Sequence, residues 1–232
     1  FMRINKFISE TGFCSRRAAD KLVDAGRVTI NGLTAELGSQ AEETDVVEID
    51  GQPLQTKPKP VYIVLNKPVG ITCTTELDIE GNIIDFVNHP KRIFPIGRLD
   101  KDSDGLILLT NDGDVVNRIL RAENNHDKEY IVTVDAPITD TFIQGMASGV
   151  DILGTTTKEC IVEPLETRTF RIILTQGLNR QIRRMCKEFG YRVKRLQRVR
   201  IMNIELGDLP IGSWRDLTEE ELRELFTTLD GQ

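Results

Sequence analysis

Apolar residues near the start of the sequence recur at helical spacing. Ile4, Phe7 and Ile8 lie three and four positions apart, which predicts a short amphipathic helix. A second helix is predicted between Ser15, a favoured N-cap residue, and Gly26, a favoured helix stop. Its apolar face is formed by Ala18, Ala19, Leu22 and Val23. The pattern over residues 4–26 therefore predicts a pair of short helices.

Short strand-like runs follow this helical pair. Residues 28–30 and 46–49 are apolar or β-branched except for Glu48, and each run is followed by an Asn-Gly or Asp-Gly pair that favours a tight turn. Residues 55–60, Gln-Thr-Lys-Pro-Lys-Pro, suit neither a helix nor a central strand, because proline removes a backbone donor. We therefore expect a small α+β domain at 2–54, a linker at 55–60, a larger domain at 61–226 and a tail at 227–232.

The larger domain is predicted to be rich in strands. Apolar runs predict strands at 61–65, 106–109, 130–134 and 170–174. Residues spaced as on one helix face predict a helix after Gly113, with Val115, Val116, Ile119 and Leu120, and another before Gly190, with Ile182, Met185, Cys186 and Phe189. The strands do not alternate regularly with helices, so the pattern favours an antiparallel or mixed sheet and an α+β fold.

The composition excludes several classes of protein. Of 232 residues, 39 % are hydrophobic and 28 % charged, which is typical of a globular protein. No apolar run approaches the roughly 18 residues of a membrane span, and the start of the sequence lacks the apolar segment of a secretory signal. The four cysteines are scattered and there are two histidines, so we expect reduced thiols, a cytoplasmic location and no metal site.

Charge is distributed unevenly along the chain. The net charge is −6, yet residues 171–200 hold ten basic residues and one acidic residue. Residues 3–27 hold six basic residues and three acidic ones, whereas residues 205–232 are strongly acidic. A solvated basic face is the simple interpretation of such a run. The size of the imbalance favours a polyanionic partner instead.

One acidic turn admits several interpretations. Residues 100–105, Asp-Lys-Asp-Ser-Asp-Gly, place acids and glycine as in a calcium-binding loop. However, Asn111 occupies the position of the bidentate glutamate, and Pro95 precedes the loop where a helix should enter it. The residues alone favour a tight turn ahead of a buried strand, with a catalytic role for Asp100 as a further possibility.

Several segments, in order, resemble one enzyme family. Residues 97–106, Gly-Arg-Leu-Asp-Lys-Asp-Ser-Asp-Gly-Leu, closely resemble the signature of the RsuA-like pseudouridine synthases of ribosomal RNA. The other segments that match this family are Leu-Asn-Lys-Pro-Val-Gly at 65–70, Lys-Glu-Tyr at 128–130 and Gly-Leu-Asn-Arg-Gln-Ile-Arg-Arg-Met at 177–185. Residues 15–20 and 26–32 resemble an S4 RNA-binding domain. Segments 86–92 and 195–202 most resemble the large-subunit synthase of the F type.

The resemblance implies both a fold and a reaction. It implies an α+β protein with a small S4 domain, followed by a synthase core built on a mostly antiparallel mixed sheet with flanking helices. It also implies that a uridine of ribosomal RNA, of 23S RNA in the F type, becomes pseudouridine without a cofactor. The C1′–N1 bond breaks, the uracil turns and a C1′–C5 bond forms.

The same resemblance suggests roles for three residues. Asp100 is implied as the nucleophile or the general base. Tyr130 is implied as the aromatic platform for the flipped uracil, and the Tyr130 hydroxyl is implied to help remove the C5 proton. Arg183 is implied as the cation that orients Asp100 through a bidentate fork. Without the resemblance, Tyr130 is typical of a half-buried strand residue and Arg183 of a phosphate contact.

The expected partner is ribosomal RNA or an assembling ribosomal subunit, with no membrane and no obligate protein partner. The residues expected to contact RNA are Arg3, Lys6, Arg16, Arg17, Lys21, Arg27, Lys67, Arg98, Arg180, Arg184 and Lys187. Two alternatives stay open: a non-catalytic S4-type ribosome-assembly factor, and the same chemistry on 16S ribosomal RNA or transfer RNA.

Overall fold

The chain folds into two compact units. The computed structural model describes residues 1–55 and 59–231. The units are Phe1–Lys59 and Pro60–Gln232. Residues 56–58, in the middle of the predicted linker 55–60, lie outside the described residues.

The first unit contains both predicted helices. Helix α1 spans Ile4–Glu10 and buries its predicted apolar stripe. Helix α2 spans Arg16–Asp24, and the hydroxyl of Ser15 accepts a hydrogen bond from the backbone N–H of Ala18 at 3.2 Å, as expected of an N-cap. The strands of this unit are β1 (Met2–Arg3), β2 (Val28–Ile30), β3 (Leu33–Thr34), β4 (Gln40–Ala41), β5 (Val47–Ile49) and β6 (Gln52–Pro53).

A four-stranded antiparallel sheet accompanies the two helices. Its order is β3-β2-β5-β6, while β1 pairs with β4. Asn31 and Asp50 have φ near +50°, so the predicted Asn-Gly and Asp-Gly turns are confirmed. Helix and strand residues share one hydrophobic cluster that includes Ile8, Val28 and Ile49. This small unit therefore has its own core.

The second unit is built on a nine-stranded mixed sheet. Its strands are β7 (Tyr62–Lys67), β8 (Phe94–Ile96), β9 (Asp104–Thr110), β10 (Lys128–Val134), β13 (Ile161–Glu166), β14 (Thr169–Leu174), β15 (Val193–Ile201), β16 (Ile204–Glu205) and β17 (Trp214–Asp216); β11 (Asp151–Ile152) and β12 (Thr155–Thr156) form a separate pair. The main order is β13-β14-β10-β15-β9-β7-β17. Strands β9 and β15 run parallel, and the other pairs are antiparallel. The predicted fold class is confirmed.

Helices flank this sheet. They are α3 (Ile83–Val87), α4 (Gly113–Glu123), α5 (Asp140–Ser148), α6 (Gln181–Glu188) and α7 (Glu219–Asp230). The predicted helices α4 and α6 are confirmed, with Ile119 and Met185 buried on their inner faces. The tail expected at 227–232 is wrong for most of its length, because α7 continues to Asp230 and buries Leu229 at 3 % exposure. A capping box between Thr218 and Glu221 starts this helix, so its acidic first turn marks a helix N-terminus.

The contact between β9 and β15 is unusually close. A Cβ atom at Gly105 would lie 2.2 Å from the carbonyl oxygen of Arg198. Glycine is therefore required where the two parallel strands meet. This contact fixes the loop that precedes β9 beside the basic strand β15.

Candidate active site

Asp100 lies in the loop between β8 and β9. Gly97, with φ of +77°, turns the chain out of β8, and the backbone N–H of Ser103 donates to the carbonyl of Asp100 at 3.0 Å. All seven residues of β9 are buried, so the predicted tight turn ahead of a buried strand is confirmed. The Asp100 side chain is 41 % exposed. The loop thus presents the Asp100 carboxylate to solvent just ahead of the buried strand β9.

The other two acids of this loop are paired with arginines. Both carboxylate oxygens of Asp102 accept hydrogen bonds from Arg180, at 3.0 and 2.8 Å. Those of Asp104 accept from Arg195, at 3.2 and 2.9 Å. Arginine pairs therefore occupy the carboxylates that a calcium loop would turn toward an ion. Within the described ranges, no group of three or more His, Cys, Asp or Glu residues is arranged to hold a metal.

Arg180 joins Asp102 to Asp100. Its Nη1 atom lies 3.3 Å from Oδ2 of Asp100 while its fork holds Asp102. Arg180 is the N-cap of α6 and has a left-handed backbone, with φ of +48° and ψ of +38°. Hydrogen bonding to this guanidinium is the main cause of the lowered pKa of Asp102. A single side chain therefore links the exposed carboxylate to its neighbour.

The expected contact between Arg183 and Asp100 is wrong in this structure. Arg183 donates through Nη2 to the carbonyl of Asp102 at 3.1 Å and to the hydroxyl of Ser103 at 2.9 Å. Arg183 lies one turn further into α6, so its guanidinium reaches the start of β9 instead. Its Nε atom is buried and has no hydrogen-bond partner among the described residues. Arg183 orders the loop backbone, and Arg180 takes the predicted place beside Asp100.

Asp100, Tyr130, Arg180 and Arg183 line one pocket of about 410 Å³, hereafter the Asp100 pocket. Tyr130 comes from β10, where it lies opposite Arg198 of β15. The pairing of the central strands therefore brings the predicted aspartate and tyrosine to the same pocket, although thirty positions separate them in the sequence. Sequence reasoning placed these residues together only through the family resemblance.

Three further residues of the Asp100 pocket were not predicted as site residues: Glu123, Lys128 and Arg198. Burial raises the pKa of Glu123, and Lys128 and Arg198 act against this shift. Burial also lowers the pKa of Lys128, whose Nζ donates to the carbonyls of Glu123 and Thr175 at 2.7 and 3.0 Å. The period-two alternation along β10 offered one signal, since Lys128 and Tyr130 share a face of the strand. We call these three residues the Glu123 cluster.

Lys67 is wrongly predicted to contact RNA. It is 0 % exposed, and its Nζ donates to the carbonyls of Pro68 at 2.8 Å, Ile71 at 3.0 Å and Lys101 at 3.4 Å. Burial lowers the pKa of Lys67. The backbone N–H of Gly70 also donates to the carbonyl of Lys101 at 2.8 Å. Lys67 therefore fastens the segment after β7 to the loop that carries Asp100.

Some of the other cations expected to contact RNA already pair with protein groups, and others are exposed. In the second unit, Arg98 and Lys187 are exposed, whereas Arg184 donates to Asn179. In the first unit, Arg27 makes two hydrogen bonds to Asp50, and Lys6 lies 3.9 Å from Glu10. The other cations of that unit that were expected to contact RNA are all exposed: Arg3, Arg16, Arg17 and Lys21. In the described part of the chain, no helix is long and apolar enough to span a membrane.

Comparison with known families assigns both units. Residues 61–188 match the RNA pseudouridylate synthase family model, and residues 2–47 match the S4 domain model. The two matches together indicate RNA binding.

Related proteins match along most of the chain. The sequence is 58 % identical to the dual-specificity RNA pseudouridine synthase RluF of Escherichia coli strain K12, over 99 % of this chain and 80 % of that protein. It is 32 % identical to the ribosomal large subunit pseudouridine synthase B of Bacillus subtilis, over 98 % of this chain and 97 % of that protein. A crystal structure of a pseudouridylate synthase superposes with a TM-score of 0.67 at 30 % identity, covering 97 % of this chain and all of that one. The chain therefore belongs to the RNA pseudouridylate synthase family and isomerises uridine in RNA to pseudouridine.

Proposed function

We propose that Asp100 is the catalytic carboxylate of this reaction and that the target uridine enters the Asp100 pocket. The observation that carries this proposal is the position of Asp100, exposed in a rigid loop and 3.3 Å from Arg180, in one pocket with Tyr130. A uridine must leave its stack to reach such a pocket, where an aromatic face and a fixed carboxylate can meet it.

The reaction sets the task of each group. Breaking C1′–N1 and forming C1′–C5 removes a proton from C5 and leaves a proton on N1, so the base must be held while it turns. Asp100 acts at the sugar or the base, and Tyr130 supplies a stacking face and a hydroxyl. Arg180 orients the Asp100 carboxylate, and Arg183 supports the loop through Asp102 and Ser103.

Binding of the surrounding RNA is assigned to the exposed cations. Residues 2–54 act as an S4-type RNA-binding domain, and residues 61–226 with the rest of α7 act as the synthase domain. In the first turn of α2, Arg16 and Arg17 are exposed at a helix N-terminus, which favours an anion. Arg98 lines the Asp100 pocket, and Arg184 and Lys187 lie on α6, whose first turn also lines it. Arg180 lies at its rim and contacts both carboxylates and RNA phosphate.

The proposed target is a uridine of 23S ribosomal RNA, free or in an assembling subunit in the cytoplasm. Support comes from the large-subunit name of the Bacillus relative and from the F-type relative at 58 % identity. Since that Escherichia coli protein is named dual-specificity, we extend the proposal to a second RNA class for this chain. Pseudouridine mapping in RNA from cells that lack and regain the protein identifies both targets.

Release of tritium from RNA labelled at C5 of uracil tests the catalytic proposal. Wild-type protein is expected to release tritium, and Asp100→Asn, which removes only the ionisable oxygen, is expected to bind RNA normally and release none. Asp208→Asn, an exposed aspartate in a turn, is the matched control and keeps full activity. Turnover by Asp100→Asn in protein free of wild-type enzyme would refute the assignment. RNA binding by the wild type without tritium release would favour the assembly-factor alternative.

A further inference from the structure

Glu123 is half-buried in the Asp100 pocket, and one oxygen of its carboxylate is fully buried there without a partner. Its Oε1 atom is inaccessible and accepts no hydrogen bond from the described residues. Among the residues that the structure describes, Glu123 forms no ion pair within 4.0 Å. A buried carboxylate oxygen that no protein group satisfies is costly, and such groups are concentrated at functional sites.

Two hydrogen-bond donors accompany this acceptor. Lys128 and Arg198 are each 5 % exposed, line the same pocket and interact electrostatically with Glu123. Lys128 uses two of its three N–H bonds on backbone carbonyls, so one proton stays available. Arg198 donates its Nε–H to the carbonyl of Leu106 at 2.8 Å, and its terminal NH2 groups have no bond to the described residues. The Glu123 cluster therefore offers an acceptor together with two donors.

This arrangement complements the edge of uracil that carries O2, N3 and O4. Along that edge the base presents the O2 acceptor, the N3–H donor and the O4 acceptor. We propose that Glu123 is a specificity-determining residue that accepts N3–H of the flipped uracil, while Lys128 and Arg198 donate to the two carbonyl oxygens. Cytosine presents an acceptor at N3, which a carboxylate repels. The inference rests on the proposal that the target uridine enters the Asp100 pocket.

The geometry of the reaction gives this contact a second use. Turning uracil about the line through C6 and N3 exchanges N1 with C5 and O2 with O4. N3 lies on that line and does not move, so one acceptor holds the base before and after the turn. Because O2 and O4 exchange places, the proposed donors Lys128 and Arg198 each meet a carbonyl oxygen in both orientations. The Glu123 cluster therefore keeps the detached uracil in place while C5 replaces N1 opposite the sugar.

A purely structural role predicts a different outcome. If Glu123 serves only to balance the charges of Lys128 and Arg198, its removal lowers stability and affects all RNA substrates equally. If it binds N3–H, its removal weakens the reaction on uridine selectively. The ratio of kcat/KM for RNA with uridine and for RNA with N3-methyluridine at the target position separates the two roles.

Wild-type enzyme is expected to prefer uridine by about 100-fold or more, because the methyl group removes a hydrogen bond to a charged acceptor and crowds the carboxylate. Glu123→Ala makes room for the methyl group, and the preference is expected to fall below about tenfold. Products are separated by nucleoside chromatography after complete digestion. Glu224→Ala, an exposed glutamate of α7, removes the same charge and keeps the wild-type ratio.

A second variant covers a failure of Glu123→Ala to fold. Glu123→Gln is isosteric, and its amide can donate to N3 of cytosine, so RNA with cytidine at the target should inhibit this variant more strongly than wild type, by about tenfold. An unchanged uridine preference in Glu123→Ala, or unchanged inhibition in Glu123→Gln, would overturn the inference. If either occurs while Asp100→Asn is inactive, the Asp100 proposal stands. Turnover by Asp100→Asn would refute both the Asp100 proposal and the Glu123 inference that rests on it.

Discussion

Replacing Arg180 with glycine should separate activity from stability. Arg180 has a left-handed backbone at the start of α6, a conformation that costs a residue with a Cβ atom about 1–2 kcal/mol and glycine much less. The ion pairs that the substitution removes are half-exposed, with Arg180 at 39 % and Asp102 at 49 %, so they stabilise the fold by at most about 1 kcal/mol. Greater freedom of glycine in the unfolded chain costs about 0.5–1 kcal/mol. The free energy of unfolding should therefore change by at most about 1.5 kcal/mol in either direction.

Activity should fall much further. Arg180 lies 3.3 Å from Asp100, and losing a group that orients a catalytic carboxylate typically costs about 10- to 100-fold in turnover. Single-turnover rates at saturating RNA measure this loss apart from binding, and urea unfolding measures stability. Arg180→Lys keeps the charge without the fork, so its rate should lie between those of wild type and Arg180→Gly.

Arg184→Ala is the control for general loss of positive charge, because the Arg184 guanidinium donates to Asn179, whereas that of Arg180 lies beside Asp100. It should weaken RNA binding without changing the saturating rate. A saturating rate of Arg180→Gly equal to that of wild type would refute the reasoning, and Asp100 would then need no cation at this position. Equal rate losses in Arg180→Gly and Arg184→Ala would mean that both residues act through RNA alone.

Further predictions concern stability, pH, the base platform and the first unit. Lys67→Met should lower the free energy of unfolding by about 2–4 kcal/mol, because buried carbonyls lose a charged donor, whereas the exposed Lys101→Met should change it by less than about 0.5 kcal/mol. Burial raises the pKa of Glu123 above its usual 4.5, so the folded state binds this proton more tightly than the unfolded state. Glu123→Gln should therefore become more stable than wild type in urea unfolding as pH rises above about 4.5, with no such gain well below it. Tyr130→Phe should keep RNA affinity and lose turnover in the tritium assay; a wild-type rate would leave the hydroxyl without a chemical role. Deleting residues 1–57 should leave a cooperatively folding protein by circular dichroism, while the slope of log K against log salt shrinks by roughly 2–3 if about three phosphate contacts are lost.

Local signals in the sequence were sufficient for several of the regular elements. Ser15 caps α2 as expected, and the apolar stripe around Met185 is buried in α6. Helix α7 was missed although Thr218 and Glu221 form a capping box, because the acidic composition of that stretch was considered without its position in a helix. Strand β15 was missed because its basic residues hide its alternation. Both errors came from weighing charge above periodicity.

The candidate site was harder to predict than the fold. The family motif singled out Asp100 as the candidate carboxylate, but the cation beside it depends on a contact between segments 80 positions apart and on the left-handed backbone of Arg180. Lys67 was assigned to RNA because lysine is usually exposed. Its burial follows from three carbonyls that converge on its Nζ, and no local pattern encodes that convergence.

The Asp100 pocket combines two electrostatic environments. Asp100 and Arg180 are 41 % and 39 % exposed, so water and salt screen their interaction and each can exchange partners when RNA arrives. Lys128 and Arg198 are 5 % exposed, so their fields act on Glu123 in a drier surrounding where interactions are stronger. Capture of the RNA backbone requires contacts that form and release, and holding a detached uracil requires contacts that persist. The exposed guanidinium of Arg180 suits the first task and the Glu123 cluster the second, so a single pocket can serve both steps.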